Sequence, residues 1–142
     1  MHKLIKKQEG FTLLELLIVI VIIGILAVLI VPNLASGPQR ARDSQRKSDL
    51  RNVKTALETY YNDKNGYPAS ASVSTDLTNG GTYLKSMPAD PKTKAAYTYT
   101  PSPSGCASGA CTSYVLQATL ENTKDGDIKS GTTATYEVTS AN

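Results

Sequence analysis

Apolar residues are concentrated in one run near the start of the chain. Residues 13–31 contain a single charged side chain, Glu15. At about 1.5 Å of rise per residue, a helix of this length spans roughly 28 Å, which matches the hydrocarbon core of a bilayer. We therefore predict a membrane-spanning helix over residues 11–34. Secretory signals have a shorter apolar core of about 7–15 residues, and cleavage at Ala35-Ser36, which would remove the whole run, is the alternative.

A second helical pattern follows over residues 39–62, where charged and helix-favouring residues predominate. Its apolar side chains recur at the spacing of one helix face, at Leu50, Val53, Leu57 and Tyr60. This face is predicted to cover a sheet. Residues 39–49 carry no such face, so we expect them to be solvated or covered by another molecule.

Three short segments alternate apolar and polar residues, as half-buried strands do. They cover residues 95–100, 114–121 and 134–138. Short connections favour antiparallel neighbours. The predicted fold is α+β: a long amino-terminal helix, half membrane-spanning and half amphipathic, packed on a small three-stranded antiparallel sheet. Residues 69–90 are predicted to form a connecting segment that packs lightly on the core.

Charge indicates the orientation of the chain in a membrane. The net charge is +3, and Lys3, Lys6 and Lys7 precede the apolar run. Because lysines near a membrane span favour the cytoplasmic side, everything after Pro32 is expected to lie outside.

Two cysteines, Cys106 and Cys111, lie close together in a stretch rich in serine and glycine. In an exported chain they are expected to form a disulfide that closes a small loop. Metal ligation by the thiols is the alternative, although the single histidine, His2, lies far away at the start of the chain.

Residues 7–16, KQEGFTLLEL, resemble the processing and assembly motif of type IV pilins and type II secretion pseudopilins. The resemblance implies that a prepilin peptidase cleaves between Gly10 and Phe11 and methylates the new amino terminus of Phe11. Residues 1–10 are then a leader peptide. Residues 35–142 are an extracellular pilin-like domain that includes the outer half of the helix.

The resemblance also implies roles within the apolar helix. Glu15 neutralises the Phe11 amine of a neighbouring subunit during assembly, and a carboxylate in a bilayer, which costs on the order of 3 kcal/mol, needs such a partner. Pairing with the Phe11 amine of its own helix is the local alternative. Gly24 and Pro32 bracket a segment that loses helical structure in related fibres, and a simple bend at the membrane exit is the alternative there.

The function implied by the resemblance is structural. The chain resembles a subunit of a type IV pilus or related filament, used in motility, adhesion or DNA uptake. The alternatives are a pseudopilin of a type II protein secretion system and a signal-anchored binding domain that does not polymerise. Implied partners are other copies of the chain in a helical filament, the prepilin peptidase, an assembly platform with its ATPase, and membrane lipid. The implied location is the inner or cytoplasmic membrane before assembly and a cell-surface filament afterwards.

Few other features suggest chemistry. Asn122, Asp125 and Asp127 form an oxygen-rich turn, for which the resemblance to major pseudopilins suggests calcium and the Asp-Gly pair suggests an ordinary hairpin turn. Basic residues within residues 40–51 suit a phosphate backbone, but no aromatic side chain is interleaved to stack bases, so nucleic-acid binding stays open. The sequence has no catalytic motif, so we expect neither an enzyme nor a cofactor other than calcium.

Overall fold

The computed structural model describes residues 10–128 and 134–141, with side chains for all of these except residues 29–36. The chain divides into two compact units, Met1–Pro38 and Gln39–Asn142. The elements are α1 (Leu13–Lys64), which contributes to both units, α2 (Val73–Thr78), a 3-10 turn (Asn79–Gly81), β1 (Thr98–Ser102), β2 (Ser113–Thr119) and β3 (Thr135–Thr139).

The first unit presents an apolar helix surface. Every large apolar side chain described between Phe11 and Val28 is exposed. No helix within the described residues combines the length and apolarity of a membrane span. The membrane-spanning helix predicted for residues 11–34 includes positions whose side chains lie outside those described, and it stays a prediction.

The second unit is organised around the predicted sheet. β2 lies at the centre and pairs antiparallel with β1 on one side and β3 on the other. The predicted apolar face of α1 packs on this sheet, and Leu50, Val53 and Leu57 are fully buried. The α+β prediction, with an amino-terminal helix on a three-stranded antiparallel sheet, is therefore confirmed for this unit.

Two local predictions differ from the structure. The first strand begins at Thr98 instead of residue 95, because residues 89–96 form their own turn: the Asp90 N–H donates to the Ala95 carbonyl at 2.9 Å, and Lys94 adopts a positive φ of 61°. The segment predicted as a loop contains α2, since the buried side chain of Leu77 anchors that short helix to the core.

Candidate functional site

The predicted cleavage junction lies at the amino end of α1. Gly10 and Phe11 are exposed and precede the helix, and a side chain at Gly10 would meet no atom within 4 Å. A side chain at Gly24 would also meet no atom within 4 Å, so no close contact requires a glycine at that position. Pro32 lies in α1, among the residues whose side chains are not described.

Glu15 closes a capping box on its own helix. Its carboxylate accepts hydrogen bonds from the Thr12 N–H and the Thr12 hydroxyl, both at 2.8 Å, and the Glu15 N–H donates to the Thr12 hydroxyl oxygen at 3.2 Å. This reciprocal pairing satisfies donors that the first helical turn leaves free. The Thr-x-x-Glu spacing at residues 12–15 is the sequence signal for this cap, which the sequence analysis missed.

A buried arginine joins α1 to the rest of the second unit. Arg46 donates to Asp43 at 2.7 Å, to Asp90 at 2.6 Å and to Glu121 at 3.0 Å, and its side chain is only 3% exposed. Glu121 also accepts from Arg42 at 2.6 Å. The expectation that residues 39–49 would be solvated or covered by another molecule holds for the exposed positions of this segment. It is wrong for the face that carries Asp43 and Arg46, because that face packs on its own unit through paired charges instead of apolar side chains.

Asp43 holds the chain where it leaves β2. One carboxylate oxygen accepts from the Glu121 N–H and the other from the Asn122 N–H, each at 2.9 Å. These bonds satisfy two backbone donors just beyond the end of the strand. α1 thereby fixes the start of the segment that carries the predicted calcium ligands.

The predicted calcium ligands face a lysine. The Lys47 ammonium lies 2.5 Å from the Asp125 carboxylate and 2.8 Å from that of Asp127, and it sits over the Tyr136 ring at 5.5 Å from the centroid. Its hydrogen bond lowers the pKa of the Asp125 carboxyl. Burial disfavours the charged lysine, but the bonds to the two aspartates outweigh it and raise the pKa of Lys47.

This arrangement does not fit a calcium ion. Calcium takes six to eight oxygen ligands, whereas the Asn122 side-chain oxygen already accepts from the Lys124 N–H at 3.2 Å, and the shared side of the two aspartates is filled by an ammonium. Within the described residues, no group of three or more acidic, histidine or cysteine side chains could hold a metal.

The predicted disulfide is present, with a Cα separation of 5.3 Å between Cys106 and Cys111. Its loop docks against the chain that follows α1: the Tyr67 N–H donates to the Cys111 carbonyl at 2.8 Å, and the Gly109 N–H donates to the Tyr67 carbonyl at 3.0 Å. A side chain at Gly66 would collide with the Gly109 carbonyl. The loop therefore braces the turn that ends the long helix.

Comparisons with known proteins agree with the resemblance drawn from the amino-terminal motif. The family model for the prokaryotic N-terminal methylation motif matches residues 5–31. Type II secretion system core protein G of Aeromonas hydrophila is 39% identical over 98 residues, which cover 61% of this chain and 68% of that protein. The protein of the same name from Escherichia coli K12 is also 39% identical, over 60% of this chain and 67% of its own length. That from Vibrio cholerae is 37% identical, over 63% and 68%. No solved structure matches the chain.

The chain belongs to the family of type II secretion system core protein G. Membership confirms the resemblance to pilins and pseudopilins, and it agrees with the expectation that the chain is not an enzyme. The matched motif includes Gly10, Phe11, Glu15 and Gly24 but ends one residue before Pro32. The individual roles of these residues stay predictions.

Proposed function

We propose that this chain is a pseudopilin of a type II protein secretion system and that it polymerises through its amino-terminal helix. The relatives named as core proteins of such systems support this function better than they support a subunit of a type IV pilus. The motif by itself had favoured the pilus subunit. The proposed location is the inner membrane before assembly, with the second unit on the outer side.

The observation that carries the proposal is the exposed apolar surface of α1. Between Phe11 and Val28, fourteen large apolar side chains are exposed. Soluble monomers rarely expose a contiguous apolar surface of this extent. A surface of this kind needs lipid around it before assembly and neighbouring helices afterwards, which supports polymerisation through this segment.

Processing comes first in the proposed sequence of events. A prepilin peptidase removes residues 1–10 and methylates Phe11, and the exposed junction at Gly10 supports such cleavage. The freed amine of Phe11 supplies a cation near the start of the helix. Thr12 stays in the processed chain, and both of its bonds go to the same carboxylate oxygen of Glu15, so the carboxylate can cap its own helix and pair with the amine of the next subunit.

Mass spectrometry with cell fractionation tests the processing and the class of filament. The chain is expressed at its native level beside a prepilin peptidase, and its intact mass and amino-terminal peptide are measured in the membrane fraction and in sheared surface filaments. We expect a chain that begins with methylated Phe11 and is confined to the membrane fraction. Long surface filaments built of this subunit would favour the type IV pilus instead, and an uncleaved chain would contradict both readings.

Two substitutions at Glu15 distinguish its role as a helix cap from its role as a charge in assembly. Glu15→Gln keeps an oxygen that can accept from Thr12 but removes the negative charge, whereas Glu15→Ala removes both. If the charge pairs with Phe11 of a neighbour, both variants are inserted and cleaved normally but are incorporated poorly into filaments, as measured by cross-linking of assembled subunits. Normal incorporation of Glu15→Gln would show that Glu15 acts only as a cap.

A further inference from the structure

The segment after β2 contains an ammonium group between two carboxylates. Lys47, on α1, donates to Asp125 at 2.5 Å and to Asp127 at 2.8 Å. The ring of Tyr136, on β3, lies on another side of the same ammonium, with its centroid 5.5 Å away. One lysine therefore contacts both the turn that follows β2 and the last strand.

This contact is sheltered from solvent on its inner side. The Lys47 side chain is 14% exposed and that of Asp125 is 19% exposed, whereas Asp127 is 64% exposed. Ion pairs between fully exposed side chains contribute little to stability, whereas removal of one partner from a buried pair is costly because it leaves the other charge without compensation. The pair of Lys47 with Asp125 is accordingly the main contact, and Asp127 adds to it from the solvent side.

The turn is otherwise held by hydrogen bonds within the protein. Asp125 also accepts from the Asp127 N–H at 3.0 Å, and Asp43 accepts from the Asn122 N–H at 2.9 Å. An ion placed between the aspartates would have to displace the ammonium. Because Lys47 is part of α1, its ammonium is held at this position, and the turn needs no cation from solution.

We propose that Lys47 is the built-in cation of the turn at residues 122–127 and orders it without a metal ion. The side chain takes the place of the calcium that this oxygen-rich turn suggested from sequence. It follows that the order of this turn depends neither on calcium nor on its removal by chelators. The inference depends only on these contacts and holds whichever filament the chain builds.

Thermal unfolding of the full chain in detergent tests the proposal. The melting temperature is measured with millimolar calcium chloride and with excess EDTA. We expect the two values to agree within the error of the measurement. A wild-type chain that is stabilised by calcium, or destabilised by EDTA, would overturn the proposal, and this comparison needs no variant.

Variants test the lysine directly. Lys47→Met keeps the length of the side chain without its charge, and Lys54→Met, two turns further along α1, is the matched control because no ion pair involves Lys54 among the described residues. We expect Lys47→Met to lower the melting temperature by about 5 °C more than the control does, whether or not calcium is present. Equal melting temperatures for the two variants would refute a structural role for the ammonium.

A double-mutant cycle assigns the effect to the pair. Asp125→Asn is measured alone and combined with Lys47→Met. If the two side chains stabilise the turn together, the combined variant melts at a higher temperature than the sum of the two single shifts predicts. Strictly additive shifts would contradict direct pairing.

Discussion

Replacement of Arg46 should strongly destabilise the second unit. Arg46→Met keeps an unbranched side chain of similar reach and removes the guanidinium group. Three carboxylates lose a charged partner in one step, those of Asp43, Asp90 and Glu121. The Asp43 side chain is only 4% exposed, so water reaches it poorly, whereas Asp90 and Glu121, at 14% and 15% exposed, regain part of the lost hydrogen bonding from water.

The size of the effect depends on the hydrogen-bond partners that the carboxylates keep in Arg46→Met. Glu121 keeps Arg42 at 2.6 Å, and Asp90 keeps the N–H groups of Lys92 and Thr93 at 2.9 and 2.7 Å. Removing one partner of a buried ion pair costs about 3–5 kcal/mol, and these remaining contacts favour the lower end. We therefore expect a loss of about 3 kcal/mol in the free energy of unfolding. For a unit of this size, that corresponds to a fall of roughly 15 °C in the melting temperature.

The stability that these ion pairs provide should depend on pH. The hydrogen bond from Arg46 holds the pKa of Asp90 far below its usual range, and Arg42, with Arg46, does the same for Glu121. A depressed pKa in the folded state adds stability above the unfolded pKa, near 4, and that stability is lost as the pH falls below it. The wild type should therefore lose stability below about pH 5, and Arg46→Met should lose less over the same range.

Guanidinium denaturation of the full chain in detergent, followed by the near-ultraviolet circular dichroism of the buried tyrosines, measures the effect. Arg51→Met is the matched control, since Arg51 is exposed on the same helix. A difference between the two variants below about 0.5 kcal/mol would refute the argument, because that is the range of ordinary surface substitutions.

Two further predictions concern the region around the disulfide loop. Gly66→Ala should destabilise the chain by at least about 2 kcal/mol, because its Cβ would collide with the Gly109 carbonyl, whereas Gly126→Ala, with no atom within 4 Å, should change stability little in the same denaturation experiment. Burial raises the pKa of Tyr67 and of Tyr99, so the stability they provide is complete below the unfolded pKa of about 10 and is lost above it. Absorbance at 295 nm should accordingly show their ionisation together with cooperative unfolding above about pH 10, and ordinary titration without unfolding would contradict this.

Much of the second unit could be predicted because its signals are local and periodic. The spacing of Leu50, Val53 and Leu57 places them on one helix face whatever they pack against, and all three are fully buried. Alternation likewise predicted the three strands, and their short connections predicted the antiparallel sheet. The late start of β1 was missed although its signal is local, since Asp90 closes a turn with residues no further than Ala95. The existence of α2 could not be predicted, because the burial of Leu77 depends on neighbours elsewhere in the fold.

The residues of the candidate site likewise fall into two groups, those that the sequence indicates and those that only the structure brings together. The motif from Gly10 to Glu15 is contiguous and can be recognised without a structure, as the match to the methylation family showed. Apart from Asp43, which lies one helical turn before Arg46, the partners of Arg46 and Lys47 lie 44 to 80 residues away along the chain. A basic helix looks the same in sequence whether its charges meet solvent, nucleic acid or its own acidic loops.

The sequence by itself therefore indicated the pilin and pseudopilin family, the fold class and the disulfide, because a contiguous motif, periodicity and cysteine spacing are properties of neighbouring residues. Only the tertiary structure decided that α1 is joined to its domain by paired charges and that an oxygen-rich turn faces a lysine. The physical reason is that an ion pair depends on the distance between groups in space, and that distance is set only when the helix packs on the sheet.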